Sequence, residues 1–214
     1  MTDDLVWIHR DPESVVKLVL NRPAKANALT GAMLDSLCAA VTEAGRSGAR
    51  ALVLTGNGKV FSAGADLGEA AAGLAVSSAW ERLSGAVADL PCLTVAALNG
   101  TIAGGANGMA LACDIRIAVP EATFFYPVMR LGYLPPPSDV VRMVRLVGRS
   151  RAAMILSAGQ RIGAEEALAW GLIDRIVPRE ALMETALALC AGVVAAKPGH
   201  AEAIGRMVRA AARG

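Results

Sequence analysis

The stretch 51-ALVLTGNGKVFSAGAD-66 decides the fold. Ala51 to Thr55 is a continuous apolar run ending in Gly56-Asn57-Gly58, the pattern of a strand buried on both faces and of the turn that leaves it. Phe61 to Asp66 then sets small residues around Gly64, ahead of Ala-rich sequence that reads as helical to about Leu90. The same arrangement follows at 93-LTVAALNGTIAGGANG-108: a buried strand over Leu93 to Leu98, a turn at Asn99-Gly100, and Gly104-Gly105 opening a helix to Ala112. Strand, glycine turn and helix in alternation mean an α/β fold with parallel pairing.

Upstream, Val6 to Arg10 and Val15 to Leu20 read as a hairpin around Asp11-Pro12-Glu13. Asn21-Arg22-Pro23 breaks the second strand. Thr30 then suits the N-cap of a helix carrying Met33, Leu34, Leu37, Cys38 and Val41 at helical spacing, ended by Gly45 and Gly48. Downstream, Asp114 to Val119 is a further strand, and Pro135-Pro136-Pro137 is rigid, with Ser138 or Asp139 placed to cap a helix through Val147. Glu165 to Trp170, Ile173 to Val177 and two terminal helices complete the chain. With no linker-like stretch and no repeat of fixed period, residues 1–214 read as one domain, its core over about 5–178 and C-terminal helices over about 179–213.

Of the 214 residues, 54% are hydrophobic and 19% charged, which excludes a disordered chain. Lys and Arg number 21 against 19 Asp and Glu, a net charge of +2, so no basic surplus asks for nucleic acid. No apolar run approaches the roughly 18 residues that a bilayer requires, and Met1-Thr2-Asp3-Asp4 lacks a basic leader, so no membrane is expected and a cytoplasmic protein is. Cys38, Cys92, Cys113 and Cys190 are scattered without a CxxC and read as buried thiols. The two histidines, His9 and His200, lie near opposite ends and support neither a nucleophilic triad nor a metal site. There is no phosphate loop of the GxxxxGK[ST] kind, and Gly104 to Gly108 does not fit GxGxxG.

The chemistry therefore falls to the two glycine turns. At a helix N-terminus the first N–H groups are unpaired and carry partial positive charge, and small residues let a ligand approach them. Two such N–H groups aimed at one point form an oxyanion hole. The alternative is that these glycines serve only tight turns and helix–sheet packing.

Taken in order, Asn21-Arg22-Pro23 with Asn27-Ala28-Leu29, Leu52 to Gly56, Phe61 to Asp66, Ala97 to Gly100, Gly104-Gly105, Cys113-Asp114, Leu131-Gly132 and Ala167 to Val177 resemble the crotonase (enoyl-CoA hydratase/isomerase) superfamily. The resemblance covers about residues 6–178. It implies a crotonase-like spiral of ββα units with a shortened helical C-terminal section. It also implies an acyl-CoA thioester substrate, with coenzyme A present only as part of that substrate and no separate cofactor or metal. The backbone N–H groups of Ala65 and Gly105 take the oxyanion positions. Lys25, Ala26 and Ala28 of one loop, Ala63, Asp66 and Leu67 of the next, and Gly104, Gly108 and Val128 fall at substrate-binding positions, Lys25 being a candidate for the CoA phosphates. Trimers or dimers of trimers are the implied assembly, and the final helix with Arg206-Met207-Val208-Arg209 suits a subunit interface or an amphipathic surface.

The resemblance also exposes departures. Hydratases of the family use two glutamates, at positions that here are Gly108 and Val128, and isomerases often place an acid where this chain has Pro136. Neither Gly nor Val moves a proton. Tyr126, Tyr133, Arg130, Asn107, Glu69 and Asp139 remain as nearby groups. Tyr133 and Asp139 are the named candidates, with Asp139 read first as a helix cap. A nucleotide-binding α/β protein rests only on the glycine turn at Gly104 to Gly108, and two functions stand ahead of it. One is an enzyme that stabilises a thioester oxyanion or enolate, with isomerase, decarboxylase or thioesterase chemistry favoured over hydration. The other is a non-catalytic acyl-CoA binder or partner subunit. Weak hydration of crotonyl-CoA is expected, rising if Gly108→Glu and Val128→Glu restore the carboxylates.

Overall fold

The protein is described from a computed structural model over residues 5–11, 14–197 and 199–211. Strand β1 (Val6–Arg10) pairs antiparallel with β2 (Val15–Leu20), as the hairpin reading expects; Pro12 and Glu13 of its turn lie outside the described residues. From β2 the sheet runs parallel through β3 (Ala51–Gly56), β4 (Leu93–Leu98), β6 (Ile115–Ala118) and β9 (Arg175–Ile176). Five consecutive residues of β3 are buried, so both its faces are covered, as a continuous apolar run requires.

A second, inner layer follows the same order. Leu29 bridges Ala65, Ser62 bridges Ile102, β5 (Ile102–Ala103) pairs parallel with β7 (Thr123–Phe125), and β7 pairs antiparallel with β8 (Ile162–Gly163). Each turn of the chain thus lays one strand in the large sheet and one short segment in the inner layer before its helix closes the turn. This is the spiral of ββα units.

Helix α1 (Gly31–Arg46) starts at Thr30, whose hydroxyl accepts from the Met33 N–H at 3.2 Å, and it buries Met33, Leu34, Leu37 and Val41. The helical stretch after Asp66 is broken: α2 (Leu67–Ala71) ends at Gly73, whose φ is +110°, a short 3-10 turn covers Leu74–Val76, and α3 (Ala79–Ala88) resumes. Helix α4 (Ala106–Ala112) packs on α3, and α5 (Val128–Leu131) is a single turn. Helix α6 (Pro137–Val147) lies between α4 and α7 (Arg149–Leu156). Helix α8 (Ala164–Trp170) is followed by α9 (Leu182–Ala195), which covers β3, β4 and β6, and by α10 (His200–Ala211).

The buried apolar side chains form one continuous core. Cys92, Cys113 and Cys190 are buried free thiols and Cys38 is half-buried; burial pushes the Cys113 thiol up to about 12. Among the described residues no single helix is long and apolar enough to cross a membrane.

Candidate active site

The two glycine turns meet. Gly64 has φ +91°, and a Cβ there would lie 2.8 Å from the Ala103 carbonyl oxygen and 3.6 Å from the Gly104 Cα. Only glycine allows both that conformation and that approach. Gly104 is itself left-handed at φ +53°. At Gly105 a Cβ would lie 2.8 Å from the Trp80 ring, so the indole packs directly under the start of α4. Trp80 is held there by its Nε1–H, which donates to the Leu74 carbonyl at 2.7 Å.

Ala65 and Gly105 both line the cavity formed at this junction. Neither of their N–H groups donates to an acceptor among the described residues, whereas the neighbouring Asp66 and Gly104 N–H groups are used, by Leu29 and Phe125. A cavity of about 230 Å³ opens in front of them. Its walls are mostly apolar, with Ala63, Leu67, Trp80, Phe125, Val128 and Leu134 among them and Tyr126, Tyr133 and Arg130 as polar side chains.

The first loop is a scaffold rather than a wall. Asn27 is fully buried: its Oδ1 accepts from the Arg22 N–H at 2.8 Å, and its Nδ2 donates to the carbonyls of Asn57 at 2.9 Å and Val60 at 2.7 Å. Ala63 N–H donates to the Ala26 carbonyl and Leu29 N–H to the Gly64 carbonyl, so this loop carries the oxyanion-position turn on its back. Asp66 caps α2, its Oδ1 accepting from the Gly68 and Glu69 N–H groups, while Oδ2 meets Arg22 Nη1 at 2.7 Å. The Arg22 hydrogen bond holds the Asp66 carboxyl below the usual carboxylate range. Glu69 accepts from the Gly31 N–H at 2.7 Å, and the Asn107 amide is spent on the carbonyls of Gly104 and Phe125.

Of the residues singled out in the sequence, Ala63, Ala65, Leu67, Gly104, Gly105, Val128 and Tyr133 converge on the cavity. Lys25 is exposed beside Ala26 and Ala28 on the scaffold loop, and with Asp66 these lie off the wall. Gly108 and Asp139 also lie off the wall, but they touch each other. A Cβ on Gly108 would sit 2.6 Å from Asp139 Oδ1.

Asp139 is not a helix cap, which corrects the first reading of it. Proline at the first position starts α6 at Pro137, with Pro136 at the N-cap and no capping side chain. That start makes Asp139 the third helical residue and turns its side chain inward, where it is 1% exposed. Its Oδ2 accepts from the Tyr126 hydroxyl at 2.9 Å. Among the described residues its Oδ1 has no hydrogen-bond partner, and Arg142 Nη1 lies 3.8 Å from it. Burial pushes Asp139 up to about 6 against the opposing pull of the Tyr126 and Arg142 contacts, and burial likewise raises the Tyr126 phenol. The space at Gly108 is therefore filled by a carboxylate from another helix. A glutamate built at 108 would have to displace it first, so Gly108→Glu does not simply restore a hydratase pair. Trp80 and the Tyr126–Asp139 bond are what sequence reasoning missed, although the small residues at 105 and 108 were their trace.

A family model described as Enoyl-CoA hydratase/isomerase matches residues 10–213. A protein named "Probable enoyl-CoA hydratase" from Rhodobacter capsulatus is 40% identical over 171 residues, covering 78% of this chain and 66% of that protein. The chain spans about two thirds of the length of the first curated relatives it matches. Among solved structures, that of Pseudomonas aeruginosa PA4980 superimposes with a TM-score of 0.89 at 33% identity, over 99% of this chain and 94% of that one. An enoyl-CoA hydratase from Bacillus anthracis gives a TM-score of 0.89 at 32% identity, over 96% of this chain and 82% of that one.

Proposed function

The chain belongs to the enoyl-CoA hydratase/isomerase family, and from that premise we propose that it is an acyl-CoA enzyme whose reaction passes through a thioester oxyanion or enolate. One observation carries the reading: Ala65 and Gly105 line the same cavity, and among the described residues no acceptor takes either of their N–H groups. Donors already fixed in place stabilise charge as it develops on the thioester oxygen, and a single such donor is typically worth a factor of 10² to 10³ in rate. The apolar walls suit an apolar acyl group, and the exposed Lys25 beside Ala26 suits the CoA phosphates.

Within the family, isomerase, decarboxylase or thioesterase chemistry fits this chain better than hydration. Hydration needs groups to activate water and to protonate carbon, and Gly108 and Val128 supply neither. Assembly into a homo-oligomer belongs to the same reading; the outward Ile204, Met207 and Val208 of α10 support it, and sedimentation velocity tests it.

The central test is the carbonyl band of butyryl-CoA labelled with ¹³C at the thioester carbon. Bound to the protein, the band is expected to move to lower frequency, as two N–H donors require, and NAD is expected not to compete. A bound butyryl-CoA whose carbonyl band stays at its solution position overturns the oxyanion assignment. No binding at all overturns the acyl-CoA reading.

A further inference from the structure

Asp139 is a carboxylate that the packing treats as part of a site rather than as part of the scaffold. It is 1% exposed, one of its oxygens has no hydrogen-bond partner among the described residues, and α4 leaves a glycine where any side chain would collide with it. An unsatisfied buried carboxylate oxygen costs stability, and apolar side chains of similar size would fill this space without that cost. Its one close partner, the Tyr126 hydroxyl, belongs to a side chain of the cavity wall that also holds Ala65 and Gly105. Tyr126 is anchored by the Phe125–Pro127 segment, whose Phe125 carbonyl accepts from the Gly104 N–H at 3.2 Å. The phenol and the oxyanion-position turn are thus tied through one peptide.

We propose that Tyr126 and Asp139 act as one proton-transfer pair at the carbon next to the thioester, Tyr126 as the catalytic residue and Asp139 as the residue that positions it and takes up its proton. The proposal rests on the acyl-CoA reading above. In the forward step the α C–H bond breaks and its electron pair enters the enolate, whose charge falls on the thioester oxygen facing Ala65 and Gly105. The released proton bonds to the Tyr126 oxygen as the phenol passes its own proton to Asp139 Oδ2. The ionised carboxylate becomes neutral as the neutral thioester becomes an enolate, so charge is conserved. The reverse steps deliver a proton to carbon.

The groups facing Asp139 decide its ionisation. Arg142, on its own helix, favours the anion from 3.8 Å, and Glu81 of α3, whose Oε1 accepts from the Ser138 N–H at 2.9 Å, opposes it. Tyr126 stabilises the anion through its hydrogen bond, and α4 places the uncharged Gly108 against it. With burial outweighing these contacts, the carboxyl titrates near 6, close to the working range of a base at neutral pH.

The test is deuterium incorporation at the α-carbon of butyryl-CoA in D₂O, read by mass spectrometry from pH 4.5 to 8.5. The native chain is expected to catalyse exchange, with a rate that rises to a plateau around a midpoint near 6. Tyr126→Phe should lower the plateau by roughly 10² to 10⁴ while butyryl-CoA still binds and its carbonyl band still shifts. Asp139→Asn should lower the plateau and abolish the midpoint, a change that a purely structural contact would not produce. The native profile needs no variant, so the proposal stays testable if Tyr126→Phe folds poorly. Native protein that binds butyryl-CoA and shifts its carbonyl band without exchange overturns the pair alone, as does exchange at the native rate in Tyr126→Phe. Loss of the carbonyl shift in native protein overturns the reading beneath it.

Discussion

Asp66 and Asp139 both stand in the first turn of a helix bordering the same cavity region, yet their surroundings are opposite. Asp66, at the N-cap of α2, has both oxygens engaged, one by the helix N–H groups and the other by Arg22, and its carboxyl is held low. Asp139 is buried beneath the cavity wall with one oxygen bonded to a phenol and the other to nothing, and its carboxyl is pushed up. From sequence, Asp66 falls at a substrate-binding position and Asp139 reads first as a cap while staying a catalytic candidate; the structure removes only the cap. A carboxylate whose demands are all met fastens two loops together. One whose demands are left open is poised to change its protonation state, and environment rather than residue type sets the difference.

The strongest way to break this comparison is through pH. Asp139 has a folded pKa near 6 against an ordinary value of about 3.9, so between those values the folded chain holds a proton that the unfolded chain has lost. Stability therefore falls as pH rises from about 4 to 6 and stays lowered above that. The cost at neutral pH is on the order of 2–3 kcal/mol at roughly 1.4 kcal/mol per unit. Comparing urea unfolding of the native chain and Asp139→Asn at pH 4.5 and 7.5 isolates this slope from that of other carboxylates. A native slope matching the variant's would mean that Asp139 is not strained in this way.

A somewhat smaller effect is expected from Gly108→Ala. A helix interior prefers alanine over glycine by about 1 kcal/mol, yet the Cβ would press on Asp139 Oδ1, and overpacking of this kind costs roughly 1–3 kcal/mol. Net destabilisation in urea is expected, and the double variant Gly108→Ala with Asp139→Ala should recover it. Independent, additive effects would show that the two sites do not share the space.

The least effect is expected at the satisfied carboxylate. Asp66→Asn keeps an oxygen for the Gly68 N–H but loses both the charge and the hydrogen-bond acceptor opposite Arg22. Because the native carboxyl is depressed, its contribution is present above the ordinary carboxylate range and fades as pH falls through it. The urea midpoint should thus drop slightly at pH 7 and converge with the native value in acid, a trend opposite in sign to that of Asp139.

Much of the frame was legible in the chain. The apolar runs of β3 and β4 announce a buried parallel sheet, Thr30 caps α1 as its type and position suggest, and the glycines at 64, 104 and 105 mark the two turns that meet. The inner layer was not legible, because Ile102–Ala103 and Ile162–Gly163 are two residues each and carry no periodicity. The break at Gly73 was hidden by alanine-rich sequence on both sides. Asp139 was misread because a first-turn aspartate after prolines looks like a cap. Only the inward path of α6, set by packing against α4, reveals that it faces Tyr126.

The contact between Gly108 and Asp139 also bears on how such a chain can change over time. A side chain gained at 108 while Asp139 remains meets the carboxylate head-on, and Asp139 lost while 108 stays glycine empties the space on both helices. Moving the acid from α6 to α4 therefore takes two substitutions, and the order that first replaces Asp139 avoids the clash at 108. What position 108 can become is thus decided by the residue that stands at 139 on the other helix.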